Sequence, residues 1–266
     1  MFGKKLKIDA FPESAFRYVE YDAIVCIDVL LATTTAVTGA ALGRPVMPVA
    51  SLEDALELGR QLKEPLMAGE VKGEQPVGFE IPNSPVALIR RTDVERPMVL
   101  LSSSGTHLIV NSSSLGNGPG PRVYVACFRN MSATAEYLAS RHQRVALLGA
   151  GTRGEFRCED QMGSAWIAKR LMARGFEAED ENSANLVRRW STADISLVAW
   201  GKSADSMRRS NQLEDLDFVL THLDDLDFAC ELDAGVISRV PVARSPEPAR
   251  RVAAPSVERP VSAAEL

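Results

Sequence analysis

Asp28 is the first residue whose position suggests chemistry, because it follows a strongly apolar run and stands five residues before three consecutive threonines. The run Ala23–Ile27 is typical of a buried strand, so Asp28 is expected at a strand end. A carboxylate there can bind a metal ion or act as a nucleophile. Threonines that open a helix cap it and leave backbone N–H groups directed at a bound anion. This stretch suits a phosphate with a divalent cation. The alternative, which the pattern alone favours slightly, is a solvated acid at a strand end beside an ordinary threonine cap.

The haloacid-dehalogenase phosphatases also place an acid after their first strand, in the pattern D-x-D-x-T. Here Leu30 occupies the position of the second acid. That nucleophilic mechanism is therefore not assigned to this sequence.

A loop rich in glycine, proline and acids, AGEVKGEQPVGFEIPNSP, spans residues 68–85. Its acids Glu70, Glu74 and Glu80 are candidate magnesium ligands, because hard cations prefer oxygen donors. A surface loop whose acids only aid solubility is the alternative. A second turn, in LLSSSGTHLI, joins a strand to a helix through Ser103 and its small neighbours and also suits an oxyanion.

The segment LLGAGTRGEFRCED contains the spacing G-x-G-x-x-G at Gly149, Gly151 and Gly154. A dinucleotide site would need small residues at the following helix start, and this sequence has large and charged ones. Glu159 and Asp160 precede the helical pattern MGSAWIAKRLMARG, which ends on a glycine. These two acids either favour the helix dipole or belong to an acidic metal site.

The elements that position these residues alternate between strand and helix patterns. Helices are predicted from Leu52, with Ser51 as N-cap, and over MSATAEYLASR. This alternation predicts an α/β fold, a three-layer α/β/α arrangement with a mainly parallel sheet, with mixed strands open as an alternative in the C-terminal part. In such folds ligands bind at the carboxyl ends of strands. The predicted strands are 23–27, 46–49, 98–101, 122–126 and 145–148.

Composition sets further limits. The 266 residues carry a net charge of −5 and no basic stripe, which disfavours nucleic-acid binding. No apolar run approaches the roughly 20 residues that span a bilayer, and no signal-like apolar segment follows the charged start. We therefore expect no membrane partner and a cytoplasmic location. The cysteines and histidines are scattered, which argues against zinc sites, disulfide frameworks and a Ser-His-Asp triad.

The chain is predicted to form one α/β domain over residues 1–242, followed by a disordered tail rich in Pro, Ala and Arg over residues 243–266. Before the tail, LEDLDF and LDDLDF occur ten residues apart. This echo is interpreted as an acidic amphipathic helix or two short surface elements.

Six segments in one order resemble the 2-phosphosulfolactate phosphatase family: IDVLLATTT, AGEVKG with GFEIPNSP, SSSGTHL, the Asn130 segment, GAGTRGEFRCED and DLDFACELDAGVISRVP. The resemblance covers roughly Tyr21 to Pro241. It implies a Mg²⁺-dependent phosphatase for a small acidic phosphate monoester, on a single α/β/α fold. The family's reaction converts 2-phosphosulfolactate to 3-sulfolactate and phosphate, a step toward coenzyme M.

The resemblance also implies roles for individual residues. Asp28 and Glu70 would be catalytic, and Asp28, Glu159 and Asp160 would bind the metal. The side chains it assigns to phosphate or substrate binding are Thr33, Thr34, Asn83, Ser103, Gly105, Thr106 and Asn130.

The sequence departs from the family pattern at three positions. Leu31 stands where an arginine is typical, Ser104 where an asparagine is typical, and Glu80 where the acid is shorter. An arginine is the natural anchor for a substrate that carries several oxyanions. The arginines that could replace it are Arg129, Arg153 and Arg157.

Two other functions remain open at this stage. The departures motivate a non-catalytic protein that binds an anionic metabolite on the same scaffold. The glycine-rich turn motivates an NAD-dependent oxidoreductase, for which we expect no thermal shift with NAD(H). A homodimer is the default expectation for a metabolic enzyme.

Overall fold

The computed structural model describes residues 3–115, 120–152 and 154–242, which form a ten-stranded mixed sheet covered by helices. The strands are β1 Lys4–Ala10, β2 Ala23–Ile27, β3 Val46–Val49, β4 Leu66–Gly69, β5 Met98–Leu101, β6 Arg122–Ala126, β7 Arg144–Gly149, β8 Phe176–Ala178, β9 Phe228–Asp233 and β10 Val236–Pro241. The helices are α1 Ala32–Ala41, α2 Leu52–Gln61, α3 Pro85–Ile89, α4 Gly105–Ser113, α5 Met131–Arg141, α6 Cys158–Met172, α7 Glu181–Trp190, α8 Lys202–Arg209 and α9 Leu213–Thr221. Short 3₁₀ helices cover Pro12–Tyr18 and Ile195–Trp200. The tail predicted over residues 243–266 lies outside the described residues, and the single-domain prediction stays a prediction.

The strand order is β4-β5-β3-β10-β9-β6-β2-β7-β1-β8. Two parallel sets, β4-β5-β3 and β6-β2-β7-β1-β8, flank the antiparallel hairpin β9–β10. Because β10 pairs antiparallel with β3 and β9 pairs antiparallel with β6, the two sets run in opposite directions. The mainly parallel sheet with mixed strands near the C-terminus is therefore confirmed.

Alternate residues of β2 show how the layers are built, because successive side chains of a strand point to opposite faces. Ala23, Val25 and Ile27 pack into one core with residues of α5 and α6. Ile24 and Cys26 pack into a second core with residues of α1. The sheet is thus buried on both faces, as the apolar run predicted, and the three-layer α/β/α arrangement is confirmed.

Most predicted elements have the expected bounds, but helix α6 and the acidic segment before β9 need correction. Ser51 caps α2 by accepting a hydrogen bond from the N–H of Asp54 at 3.0 Å, as predicted. Helix α6 begins at Cys158, earlier than predicted, so Glu159 and Asp160 lie in its first turn instead of before it. It also ends at Met172, ahead of the glycine expected as its cap.

The acidic echo near the C-terminus was interpreted wrongly in its second half. The first copy, LEDLDF, begins α9, but the second leads directly into β9 in the middle of the sheet. Ala229 and Cys230 of β9 are fully buried. Pairing with β6 and β10, and not the local charge pattern, decides this conformation.

None of the helices in these described ranges is both long and apolar enough to cross a lipid bilayer.

A buried arginine beside the parallel set β4-β5-β3 gives a stability prediction. The Arg44 guanidinium is fully buried and donates to Asp93 at 2.9 Å and to the Arg96 carbonyl at 2.6 Å. Hydrogen bonds from Arg91, Arg44 and Arg96 hold the pKa of Asp93 below its usual value. We expect Asp93→Ala to lower the free energy of unfolding by about 3 kcal/mol, because it leaves a buried charge without its partner.

Urea denaturation at neutral pH tests this expectation. Glu177→Ala is the control, because its ion pair with Lys5 is solvent-exposed and is expected to contribute little to stability. Since the folded-state pKa of Asp93 is depressed, its stabilisation is present above pH ~4 and is lost as pH falls below that value. The difference in stability between the wild type and Asp93→Ala should therefore shrink as the pH is lowered. An equal loss in both variants would contradict the assignment.

Candidate active site

Asp28 lies directly after β2, where two threonines fix the loop. The Thr33 hydroxyl accepts from the N–H of Asp28 at 3.0 Å and donates to its carbonyl at 2.8 Å. The Thr34 hydroxyl donates to the Val29 carbonyl at 2.8 Å. Both threonines are buried. Their hydroxyls therefore shape the Asp28 loop, which differs from the phosphate contact predicted for them.

The beginnings of α1 and α4 meet at the Asp28 carboxylate. A Cβ placed on Gly105 would lie 2.6 Å from the Cβ of Ala32 and 2.8 Å from the Cβ of Asp28, and closer still to Asp28 Oδ2. Only a glycine permits this approach. Hydrogen bonding from the backbone N–H groups of Ala32 and Gly105 favours the charged form of the carboxylate.

Several acids gather around this point, and their charges help to raise the pKa of Asp28 and of Asp160. Burial, then the charges of Glu159 and Glu70, raise the pKa of Asp28 to about 7, against the effect of the two backbone N–H groups. Burial, then Asp28 and Glu159, raise the pKa of Asp160 well above its usual value. The four predicted acids are thus brought together around one centre of negative charge.

Asp160 joins the loops that follow two neighbouring strands. Its Oδ1 accepts from the N–H of Val29 at 2.9 Å, and its Oδ2 accepts from the N–H of Gly151 at 3.2 Å. A Cβ on Gly149 would lie 3.0 Å from the Cβ of Asp160. The glycine-rich turn therefore accommodates this carboxylate, and Asp160 holds the two loops in place through one hydrogen bond to each of its oxygens.

Glu70 connects the loop after β4 to the turn after β5. Its carboxylate accepts from the N–H of Ser103 at 2.6 Å, from the Ser103 hydroxyl at 2.8 Å and from the N–H of Gly73 at 2.7 Å. The Ser103 hydroxyl also accepts from the N–H of Lys72 at 2.8 Å. Glu159 is only 1% exposed, and its Oε2 accepts from the Cys158 thiol at 3.2 Å.

The arrangement of these acids suits a cation that keeps part of its water shell better than one that is bound only by protein ligands. No group of three or more Cys, His, Asp or Glu side chains in the described part of the chain is arranged to hold a metal ion. Mg²⁺ usually keeps several waters and takes one or two carboxylates with substrate phosphates. Asp28 and Glu159 supply hard oxygen donors, and their mutual repulsion is the kind that a divalent cation offsets. The donor chemistry therefore fits magnesium, with Glu70 as a third acid nearby.

An open cleft of about 1220 Å³ reaches this centre, with Asp28, Glu70 and Ser103 in its lining. Asn83 also lines it, is 5% exposed, and its Oδ1 has no hydrogen-bond partner among the described atoms. Asn83 and Ser103 are thus the predicted substrate-binding side chains that face the cleft. Gly105 acts through its closeness to Asp28.

Other predicted residues have their side chains engaged elsewhere. The Thr106 hydroxyl exchanges hydrogen bonds with the backbone of Ser102 at 2.9 and 3.0 Å. Asn130 is fully buried, accepts from the N–H of Cys127 at 3.0 Å and donates to the Val125 carbonyl at 3.2 Å.

Glu80, a candidate metal ligand from the sequence, lies outside the cleft. It pairs with two arginines, Arg91 and Arg96.

Basic side chains along the cleft were largely missed from the sequence. They are Lys72, Arg90, Arg157, Lys202 and Arg209. Two of them belong to α8, whose polar sequence KSADSMRR carries no signal of its own beyond amphipathic helix spacing.

Of the three arginines predicted as replacements for the one absent at Leu31, Arg157 lies in the cleft lining. Arg129 instead contacts Asp225 and Thr38 away from it. Arg153 lies outside the described residues. Leu31 itself lines the cleft and contributes only apolar surface.

Comparison with known proteins gives a consistent family match. A family model described as 2-phosphosulpholactate phosphatase matches residues 10–244. A probable 2-phosphosulfolactate phosphatase of Thermotoga maritima is 36% identical over 198 residues, covering 70% of this chain and 83% of that protein. Another, of Caldanaerobacter subterraneus, is 26% identical over 220 residues, covering 80% and 89%. A third, of Thermotoga petrophila, is 31% identical over 198 residues, covering 70% and 83%.

Proposed function

Because this chain belongs to the 2-phosphosulpholactate phosphatase family, we propose that it hydrolyses a small acidic phosphate monoester of the 2-phosphosulfolactate type. The products are the free hydroxy acid, such as 3-sulfolactate, and inorganic phosphate. The observation that carries the proposal is the Asp28 carboxylate, held between the beginnings of α1 and α4 in an open cleft. Family membership favours this catalytic function over a non-catalytic anion-binding protein.

The residues that line the cleft and the buried acids behind it have separate roles. Asp28 and Glu159, with Glu70 beside them, would hold Mg²⁺, which when bound neutralises phosphate oxygens and lowers the pKa of a bound water. Asp160 keeps the two loops around Asp28 in register through its two backbone contacts. Asn83 offers its unpaired Oδ1 to a donor on the substrate or on a bound water.

Helix N-termini supply the electrostatic part of the proposal. α1 and α4 both begin at the Asp28 carboxylate, and the first turn of a helix favours negative charge. Phosphoryl transfer depends mainly on positioning and on such fixed dipoles, because the protein contributes little covalent chemistry. The N-terminal ends therefore suit a phosphate next to the acids that would hold its cation.

Metal removal tests the proposal directly. Purified protein with Mg²⁺ should release phosphate from 2-phosphosulfolactate, measured by a colorimetric phosphate assay. EDTA should reduce the rate by at least about 100-fold, and excess Mg²⁺ should restore it, because the metal stabilises the charge of the transition state. Full activity in EDTA would rule out the metal. A ligand-dependent melting shift without phosphate release would support the binding-protein alternative.

A cytoplasmic location, a homodimer and a step in coenzyme M biosynthesis stay predictions from the sequence. Light scattering on the eluted protein tests the dimer. A thermal shift with NAD(H), which we do not expect, would reopen the oxidoreductase interpretation.

A further inference from the structure

Two basic side chains from different elements meet at one carboxylate in the cleft. Arg157 precedes α6, and Lys202 begins α8. Glu155 Oε2 accepts from Arg157 Nη1 at 3.1 Å and from Lys202 Nζ at 2.8 Å. Both cations line the same cleft as Asp28. Because they share one oxygen atom, their charged groups lie close together.

This group has an excess of positive charge. Two cations share a single carboxylate, and among the described residues neither cation forms an ion pair with a second acid. The Arg157 side chain is only 13% exposed, whereas the Glu155 side chain is 52% exposed. A buried guanidinium favours a close anionic partner, since desolvation makes an isolated charge costly. An incoming oxyanion could join or replace the shared carboxylate oxygen.

The position of Arg157 is also defined. Its Nη2 lies 3.5 Å from the Thr152 carbonyl, and Thr152 and Glu155 exchange backbone hydrogen bonds at 3.0 Å. The turn that supplies Glu155 therefore orients the guanidinium. A planar guanidinium held in this way can present paired N–H groups to a carboxylate or sulfonate.

Two other arginines line the cleft, Arg90 and Arg209. Arg209 is solvent-exposed. Arg90 pairs with Glu214 at 3.0 Å, one cation to one acid. Leu31 contributes no charge to the wall. The Arg157–Lys202 pair is therefore distinguished by its shared acid and by the low exposure of the Arg157 side chain.

We propose that Arg157 and Lys202 form a second anion subsite, which binds the sulfonate or carboxylate of a substrate whose phosphate is bound at Asp28. This inference rests on the proposed function and adds the residues that would recognise a second oxyanion of the substrate. The subsite sets specificity, and the phosphate site performs the reaction.

Binding of a ligand without phosphate tests the subsite independently of turnover. The probes are 3-sulfolactate, lactate and 2-hydroxyethanesulfonate, titrated into the protein by ligand-observed NMR. We expect Arg157→Gln and Lys202→Gln each to weaken 3-sulfolactate binding about tenfold, as loss of a charge-assisted contact predicts. Arg157→Lys should bind more tightly than Arg157→Gln but less tightly than the wild type, because lysine keeps the positive charge but lacks the paired N–H groups of the guanidinium. If the variants lose affinity for lactate, the subsite binds the carboxylate. If they lose affinity for 2-hydroxyethanesulfonate, it binds the sulfonate.

Arg208→Gln is the matched control, because Arg208 also lies on α8 but pairs with Asp205 at 2.8 Å. It should leave the affinity for 3-sulfolactate unchanged. Equal affinity in all proteins, an equal loss in all variants, or no binding to the wild type would overturn the subsite. Thermal melting of each variant checks folding, and Lys202→Gln removes an exposed side chain that is 71% accessible.

Phosphate release separates failure of the subsite from failure of the proposed function. If wild-type protein hydrolyses phosphate monoesters but the NMR affinities do not respond, only the subsite is wrong. If 3-sulfolactate binds through Arg157 and no monoester is hydrolysed, the subsite stands and the phosphatase proposal is wrong. For active protein, Arg157→Gln should raise KM for 2-phosphosulfolactate about tenfold more than KM for p-nitrophenyl phosphate.

Discussion

Asp28→Asn is expected to lower the rate of phosphate release by about 100- to 1,000-fold while the protein stays folded. The substitution keeps the size of the side chain and removes its charge. It therefore removes a metal ligand or reacting group without disturbing the Thr33 contacts, which involve only the backbone of residue 28. Steady-state phosphate release with saturating Mg²⁺ gives the rate, and circular dichroism verifies the fold.

The same substitution should increase stability in metal-free buffer. Burial and the neighbouring charges raise the folded-state pKa of Asp28 to about 7, whereas an unfolded aspartate has a pKa of about 3.9. The folded state therefore holds the proton more strongly. The resulting stabilisation is complete below pH ~4 and is lost as pH rises through about 7. Above that pH, Asp28→Asn should unfold at a higher urea concentration than the wild type in EDTA.

Opposite effects on activity and stability are what identify a functional acid. Asp233→Asn, at the exposed end of β9, is the control and should change neither quantity. Wild-type turnover in the Asp28→Asn variant would exclude Asp28 from the reaction. Lower stability of that variant at pH 8 in EDTA would contradict the repulsion between Asp28, Glu159 and Glu70.

Local sequence signals were sufficient for the strand that carries Asp28. The five residues before it are β-branched or small and apolar, and such a run is stable only when it is buried on both faces. Strands β5 and β6 follow the same rule, and β3, β5 and β6 all have the predicted bounds. The acid that follows β2 is therefore expected at the carboxyl end of an inner strand of the sheet.

The centre of the sheet could not be predicted, because it depends on contacts between distant parts of the chain. β9 pairs with β6, which is about one hundred residues earlier, and the acids around it resemble a surface segment. The hairpin makes the two parallel sets run in opposite directions. That α1 still brings the Asp28 loop against α4 follows from its packing across β6, β10, β3 and β5.

Residue type also failed to predict which way a hydroxyl points. Thr33 and Thr106 stand at the helix beginnings where a phosphate contact was expected, but both bond back to the chain that precedes them. Threonines commonly satisfy nearby backbone groups in this way. The basic side chains of α8 were missed for a related reason, since only tertiary packing brings Lys202 to Glu155.

Gly105→Ala is expected to cause a comparable loss of activity from a single methyl group. The added Cβ would lie 2.6 Å from the Cβ of Ala32 and 2.8 Å from the Cβ of Asp28, which is closer than such atoms approach. Either the Asp28 side chain or the beginning of α4 must move. A displacement near 1 Å can lower a rate by about 100-fold, and overpacking costs about 1–3 kcal/mol of stability.

Gly163→Ala is the matched control, because Gly163 is also a buried helical glycine next to β2. Its added Cβ would lie 3.5 Å from side chains of Ile27 and Val29, which is ordinary van der Waals contact. Alanine is also the better helix former by about 1 kcal/mol, so this variant should be as stable as the wild type or more so, with full activity. If Gly105→Ala behaved like this control in both phosphate release and urea denaturation, α4 would not begin against Asp28. Loss of activity in Gly105→Ala alone would show that the approach of this helix to the carboxylate is required for the reaction.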